Sequence, residues 1–121
     1  MGNRFLRIAV IYILLGVLLG IVMAASHDYT LRPVHAHMNL VGWASMGLFG
    51  LFYRAVPEAA QSPLAKAHFW IYNLALPILA VTLAMFVSGN TAIEPVLALA
   101  SVAVAIALLC FAIVLWKHTA N

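Results

Sequence analysis

An all-α integral membrane four-helix bundle is the fold this sequence predicts, on three observations. Apolar residues make up 66% of the 121-residue chain and charged residues only 7%, more apolar surface than a water-soluble domain of this size can cover. Apolar stretches recur at residues 5–25, 33–53, 69–87 and 95–116, each about the 20 residues that a helix needs to cross the hydrocarbon core of a bilayer. The breaks between them are short and hold the turn formers, so residues 1–121 read as a single transmembrane domain.

The first span follows Arg4 and Arg7 and runs uncharged to Ala25. Its apolar run is longer than the core of a signal peptide, so a retained helix is expected. Gly16 and Gly20 give it a Gly-x-x-x-Gly pattern, a surface on which another helix can approach closely, within the chain or in a second copy. Residues 26–31 form a short loop with Tyr29 at headgroup level, and Arg32-Pro33 opens the second span, proline being harmless in a first turn. That span is dotted with Gly42, Ala44, Gly47 and Gly50. Pro57, Glu58, Gln61, Ser62 and Pro63 mark the next turn, residues 88–91 the one after, and Glu94-Pro95 opens the alanine-rich fourth span. Trp70, Tyr53, Tyr72 and Trp116 fall at span ends and read as an aromatic belt. The lone Cys110 reads as a small apolar packing residue.

The charges set an orientation. Arg4, Arg7, Arg54, Lys66 and Lys117 fall on one side of a four-span chain and Arg32 alone on the other. The positive-inside rule then puts both termini in the cytoplasm of a multi-pass protein, expected in the bacterial inner membrane. The net charge of +3 therefore reports topology rather than a nucleic-acid partner.

Chemistry is expected in one place. His35, His37, Asn39 and Arg32 cluster where the second span begins, and polar or ionisable side chains inside a membrane span are costly enough to mark function. Residues two apart on a helix point about 200° apart, so His35 and His37 address different neighbours. His35 shares a stripe with Met38, Asn39 and Gly42; His37 shares one with Val34, Val41 and Ala44. Neutral imidazole is a common metal ligand and an axial ligand of haem iron. The bare glycines and Trp43, deep in the same span, suit a flat macrocycle, although a tryptophan there more commonly packs inside its bundle. Both histidines also read as wet groups near the interface, and Arg32 as a cation reaching for headgroups or for an anionic partner such as a haem propionate. His68 falls at the opposite end and reads as interfacial, His118 lies in the tail, and His27 with Asp28 reads as a solvated loop pair. No nucleophile–base pair, Gly-rich phosphate loop or carboxylate pair is visible.

Arg32-Pro33-Val34-His35 resembles the Arg-Pro-Leu-His or Arg-Thr-Leu-His of the second helix in the catalytic subunit (subunit I) of haem-copper oxidases and nitric oxide reductases. Asn39-Leu40 echoes an Asn-Leu that follows that histidine, with two extra residues between. His35-Ala36-His37 is similar to the His-x-His of the same subunit's tenth helix. The resemblance implies low-spin haem b ligation by His35 and His37, and a chain equivalent to one four-helix arc of that twelve-helix subunit. Three copies would then form a homotrimer resembling the whole, with His35 of one copy and His37 of the next sharing a haem. The family's copper-site histidines have no counterparts in the third span, and its tyrosine and proton-channel carboxylates are missing too, so an intact oxygen-reducing centre is not expected. The resemblance covers residues 29–57.

The function expected is therefore a haem b-binding membrane protein, an oxidoreductase at most, for electron transfer or binding of O2 or NO. Its site is His35, His37, Arg32, Asn39 and Trp43, and its partners are the bilayer, further copies of itself and a periplasmic electron donor. The alternatives are a copper-handling or assembly protein using the histidines and Met38, and a structural small subunit of a respiratory complex.

Overall fold

A computed structural model describes residues 1–120 of the chain. Every regular element among them is helical. In order they are α1 (Gly2–Ser26), α2 (Arg32–His37), a π-helical segment (Met38–Ala44), α3 (Ser45–Ala55), a 3₁₀ turn (Pro57–Gln61), α4 (Pro63–Val87), a second 3₁₀ turn (Thr91–Ile93) and α5 (Glu94–Thr119). Three stretches are long and apolar enough to cross a membrane: Gly2–Ser26, Pro63–Val87 and Thr91–Thr119. The fourth path, residues 32–55, keeps right-handed helical dihedrals through both junctions of the π segment, at His37, Met38, Ala44 and Ser45.

Local chemistry sets the ends. α1 stops at His27, whose left-handed backbone (φ 54°) reverses the chain. Asp28 then closes the loop by accepting from the Thr30 N–H and hydroxyl. The Ser62 hydroxyl caps α4 by accepting from the Ala65 N–H, with Pro63 in the first turn, where no amide is needed. Gly89, at φ 109°, makes the turn that leads toward α5.

α1 packs along residues 32–55, and α4 packs along α5. The first seam is antiparallel and runs Gly20 to His35, Gly16 to Asn39, Tyr12 to Gly42 and Gly2 to Gly50. Small and large side chains change sides along it. Near His35 the glycines are on α1; at Gly42 the glycine is opposite the Tyr12 ring. The Gly-x-x-x-Gly of α1 is thus filled from within the chain. It brings backbone close to side chain, as contacts in lipid require, where apolar burial between helices supplies little drive.

The outer surface is apolar in all four helical paths, with Leu14 65%, Leu48 67% and Leu99 71% exposed. Isolated exposed leucines are ordinary, but contiguous apolar surface on every helix is what a hydrocarbon solvent asks for. The hydroxyls and amides of the spans are mostly satisfied on their own helix: Asn73, Thr82 and Ser101 each donate to the carbonyl four residues back. Two buried side-chain atoms among the described residues lack a partner, Asn39 Oδ1 and His68 Nε2.

The belt reading of the tyrosines is corrected. Trp70 and Trp116 are exposed, but Tyr53 and Tyr72 are buried with their hydroxyls engaged inside the bundle. His68 is likewise not interfacial. α4 begins at Pro63, so His68 lies in its second turn on the core-facing side, fully buried among Phe5, Phe49, Tyr53, Tyr72 and Phe111.

Candidate functional site

The polar cluster forms where α2 leans on α1. His35 lies between the helices with Nδ1 2.7 Å from the Gly16 carbonyl oxygen. A carbonyl only accepts, so Nδ1 carries the proton and donates. The other ring nitrogen, Nε2, faces the Asn39 side chain, whose Nδ2–H donates to it at 3.3 Å. This contact is long for a hydrogen bond. The Asn39 Oδ1 has no hydrogen-bond partner among the described residues and is buried against Gly16 of α1.

The glycines make this close approach possible. A Cβ on Gly20 would come within 2.8 Å of His35 Cε1, and one on Gly16 would land on Asn39 Oδ1.

His37 points elsewhere. Its Nδ1–H donates to the Pro33 carbonyl, 2.8 Å away and four residues back. It is partly exposed, and its Nε2 makes no hydrogen bond among the described residues. Both imidazoles therefore hold their proton on Nδ1 against a backbone carbonyl. That second contact is what fixes the tautomer and ring plane of a ligating histidine, leaving the Nε2 lone pair as the donor atom.

Arg32 is exposed at the start of α2, its guanidinium 5.5 Å from the centre of the Tyr29 ring. It is free to reach an anion outside the bundle. Trp43 does not pack inside the bundle. Gly42 is the residue that meets Tyr12 of α1, so Trp43, one position on, is turned off the seam and 39% exposed. With Leu6, Gly47, Leu48 and Leu51 it lines an open apolar groove of about 520 Å³.

The site residues thus divide into three directions. His35 and Asn39 face α1, His37 turns away from them, and Trp43 faces outward along the groove. Among the described residues, no three His, Cys, Asp or Glu side chains come together as a metal-binding group.

The π segment that begins directly after His37 was not legible in the sequence. π turns are rare and often lie at functional sites. Two hydroxyls support this one: Tyr72 of α4 donates to the Val41 carbonyl at 2.6 Å, and Ser45 to the Leu40 carbonyl at 2.8 Å. The one available hint was the four-residue spacing of His68 and Tyr72, which sets both on the same face of α4. At the far end of the bundle the Tyr53 hydroxyl lies 3.0 Å from His68 Nδ1.

Compared with known proteins, the chain matches no protein-family model, no curated protein and no solved structure.

Proposed function

We propose that this chain is a haem b-binding membrane protein, with His37 and His35 as the ligating side chains. The reading rests on one observation: each imidazole donates its Nδ1–H to a backbone carbonyl, which leaves the Nε2 lone pair as the ligating atom, open on His37 and accepting from Asn39 on His35. The donor chemistry fits haem iron, and His37 offers its Nε2 without rearrangement. His35 offers its own only when the Asn39 amide, packed against Gly16, moves off it. Arg32 would then pair with a haem carboxylate at the outer surface, while Trp43 faces a separate groove and takes no part in holding the group. A b-type haem held there would supply one-electron transfer if both histidines hold it, or bind O2 or NO if only one does.

The same reading includes four spans, both termini in the cytoplasm, the bacterial inner membrane as location, and a homotrimer akin to the twelve-helix subunit of haem-copper oxidases. The orientation alone is supported by the five-to-one division of Lys and Arg between the two ends of the bundle. In this reading the protein takes electrons from a periplasmic donor.

The test is the visible spectrum of the purified protein, oxidised and reduced, beside metal analysis. Haem ligation predicts a sharp Soret band and a reduced α band that His37→Ala abolishes. Copper without those bands would mark a copper-handling protein, and a colourless, metal-free, folded protein a structural subunit; either result refutes haem binding.

A further inference from the structure

At the end of the bundle opposite the His-x-His, a cavity of about 340 Å³ opens between the first turn of α1, the 3₁₀ turn at Pro57–Gln61 and the first turns of α4. Arg4, Gln61, Lys66, Phe69 and Trp70 line it. From this cavity we propose a binding site for the phosphate-bearing headgroup of an anionic phospholipid.

Charge comes first. Two cationic side chains from different helices face one cavity, and among the described residues no acidic side chain lines it. Arg7, Arg54 and Lys117 add to the same end, against Glu58 alone. A net positive field of this kind collects anions, and arginine beside lysine joins a forked donor to a point charge, a suitable pair for phosphate oxygens.

Depth comes second. The cavity lies where two apolar helices begin, which is the level of headgroups when those helices cross a bilayer. Trp70, 58% exposed on its rim, has the half-apolar, half-polar character of side chains that settle at that level. Phe69 gives the inner wall an apolar surface, and the Gln61 amide adds a neutral hydrogen-bonding group at the mouth.

Size comes third. Water occupies about 30 Å³ per molecule in the liquid, so the cavity has the volume of roughly ten waters. A lone inorganic phosphate leaves much of that space wet, whereas a headgroup with its glycerol fills it and carries its acyl chains out along the exposed apolar face of α4. The cations, aromatic rim and volume agree on a lipid rather than a free ion.

Native mass spectrometry of the full chain in detergent tests this, with phosphatidylglycerol and phosphatidylcholine supplied at equal concentration and told apart by acyl mass. The expected result is at least fivefold greater retention of phosphatidylglycerol, falling below twofold in Arg4→Gln/Lys66→Gln. Arg7→Gln/Lys117→Gln removes the same charge away from the cavity and should keep the preference; circular dichroism checks that both variants are folded. Equal retention of the two lipids, or a preference that survives Arg4→Gln/Lys66→Gln or disappears in Arg7→Gln/Lys117→Gln, overturns the site. Displacement of phosphatidylglycerol by millimolar inorganic phosphate assigns the cavity to the free ion and overturns the lipid. Haem content does not enter the measurement, so its outcome is independent of the function proposed for the other end.

Discussion

Gly42 and Gly47 lie five residues apart in one helical path and have opposite surroundings. A Cβ at Gly42 would come 2.5 Å from Tyr12 Cγ, while one at Gly47 meets nothing within 4 Å. Gly42→Ala should therefore force the Tyr12 ring or α1 to move, and overpacking of this kind costs about 1–3 kcal/mol. Gly47→Ala only exchanges glycine for a better helix former and should be neutral or stabilising by up to about 1 kcal/mol. Thermal unfolding in one detergent checks both, and equal effects would contradict the seam. The Asp28 loop yields a prediction with a definite sign. The Thr30 hydroxyl, and after it the Thr30 backbone N–H, hold the Asp28 carboxyl below its ordinary pKa of 3.8. A group whose folded pKa is depressed contributes stability above its unfolded value and loses it as pH falls through the folded one. Protection of the Thr30 amide, corrected for intrinsic exchange, should thus be constant from neutral pH down to about 5 and be lost below the ordinary carboxylate range. Asp28→Ala should remove that pH dependence.

At the scale of elements, the π segment at Met38–Ala44 determines which residues after His37 face α1. Tyr72 is fully buried and donates to the Val41 carbonyl within this segment. Tyr72→Phe keeps the ring and deletes the bond. The expected loss is about 0.5–1.5 kcal/mol, the net worth of one intramolecular hydrogen bond. Faster amide exchange should be concentrated in residues 38–44 and leave α5 unchanged; uniform acceleration would mean that the hydroxyl supports the bundle rather than the segment. The helices themselves were legible because hydropathy and turn residues report them directly. The His35–Asn39–Gly42 stripe was legible too, since hundred-degree spacing holds through its first turn. Three features were not. The extra width of the π segment depends on a hydroxyl from a distant helix, which no local pattern encodes. The burial of His68 follows from α4 starting one turn and a half before its apolar run becomes continuous, and Tyr53 of α3 packs against it. The exposure of Trp43 follows from Gly42 taking the place against Tyr12, a choice made by the partner helix.

At the scale of the whole molecule, one chain leaves much of its lateral surface open: only 17% of the apolar window of α1, and 17% of that of Thr91–Thr119, is buried. Such surface does not by itself predict assembly, because lipid tails solvate leucine as well as another helix does. Close packing or a specific bond between copies is needed. In the proposed trimer that bond is metal coordination, with His37 turned away from its own chain's α1 while His35 is set against it. Assembly should therefore depend on the same imidazole as the cofactor. Native mass spectrometry of the haem-loaded protein should find three times the 13.1 kDa protomer mass plus that of the bound haem, and His37→Ala should lose haem and trimer together, returning to 13.1 kDa. A haem-loaded monomer would eliminate the shared ligand set. A His37→Ala protein that stays trimeric without haem would show that helix packing, not coordination, joins the copies, and the groove beside Trp43 and Gly47 would then be the surface to disrupt.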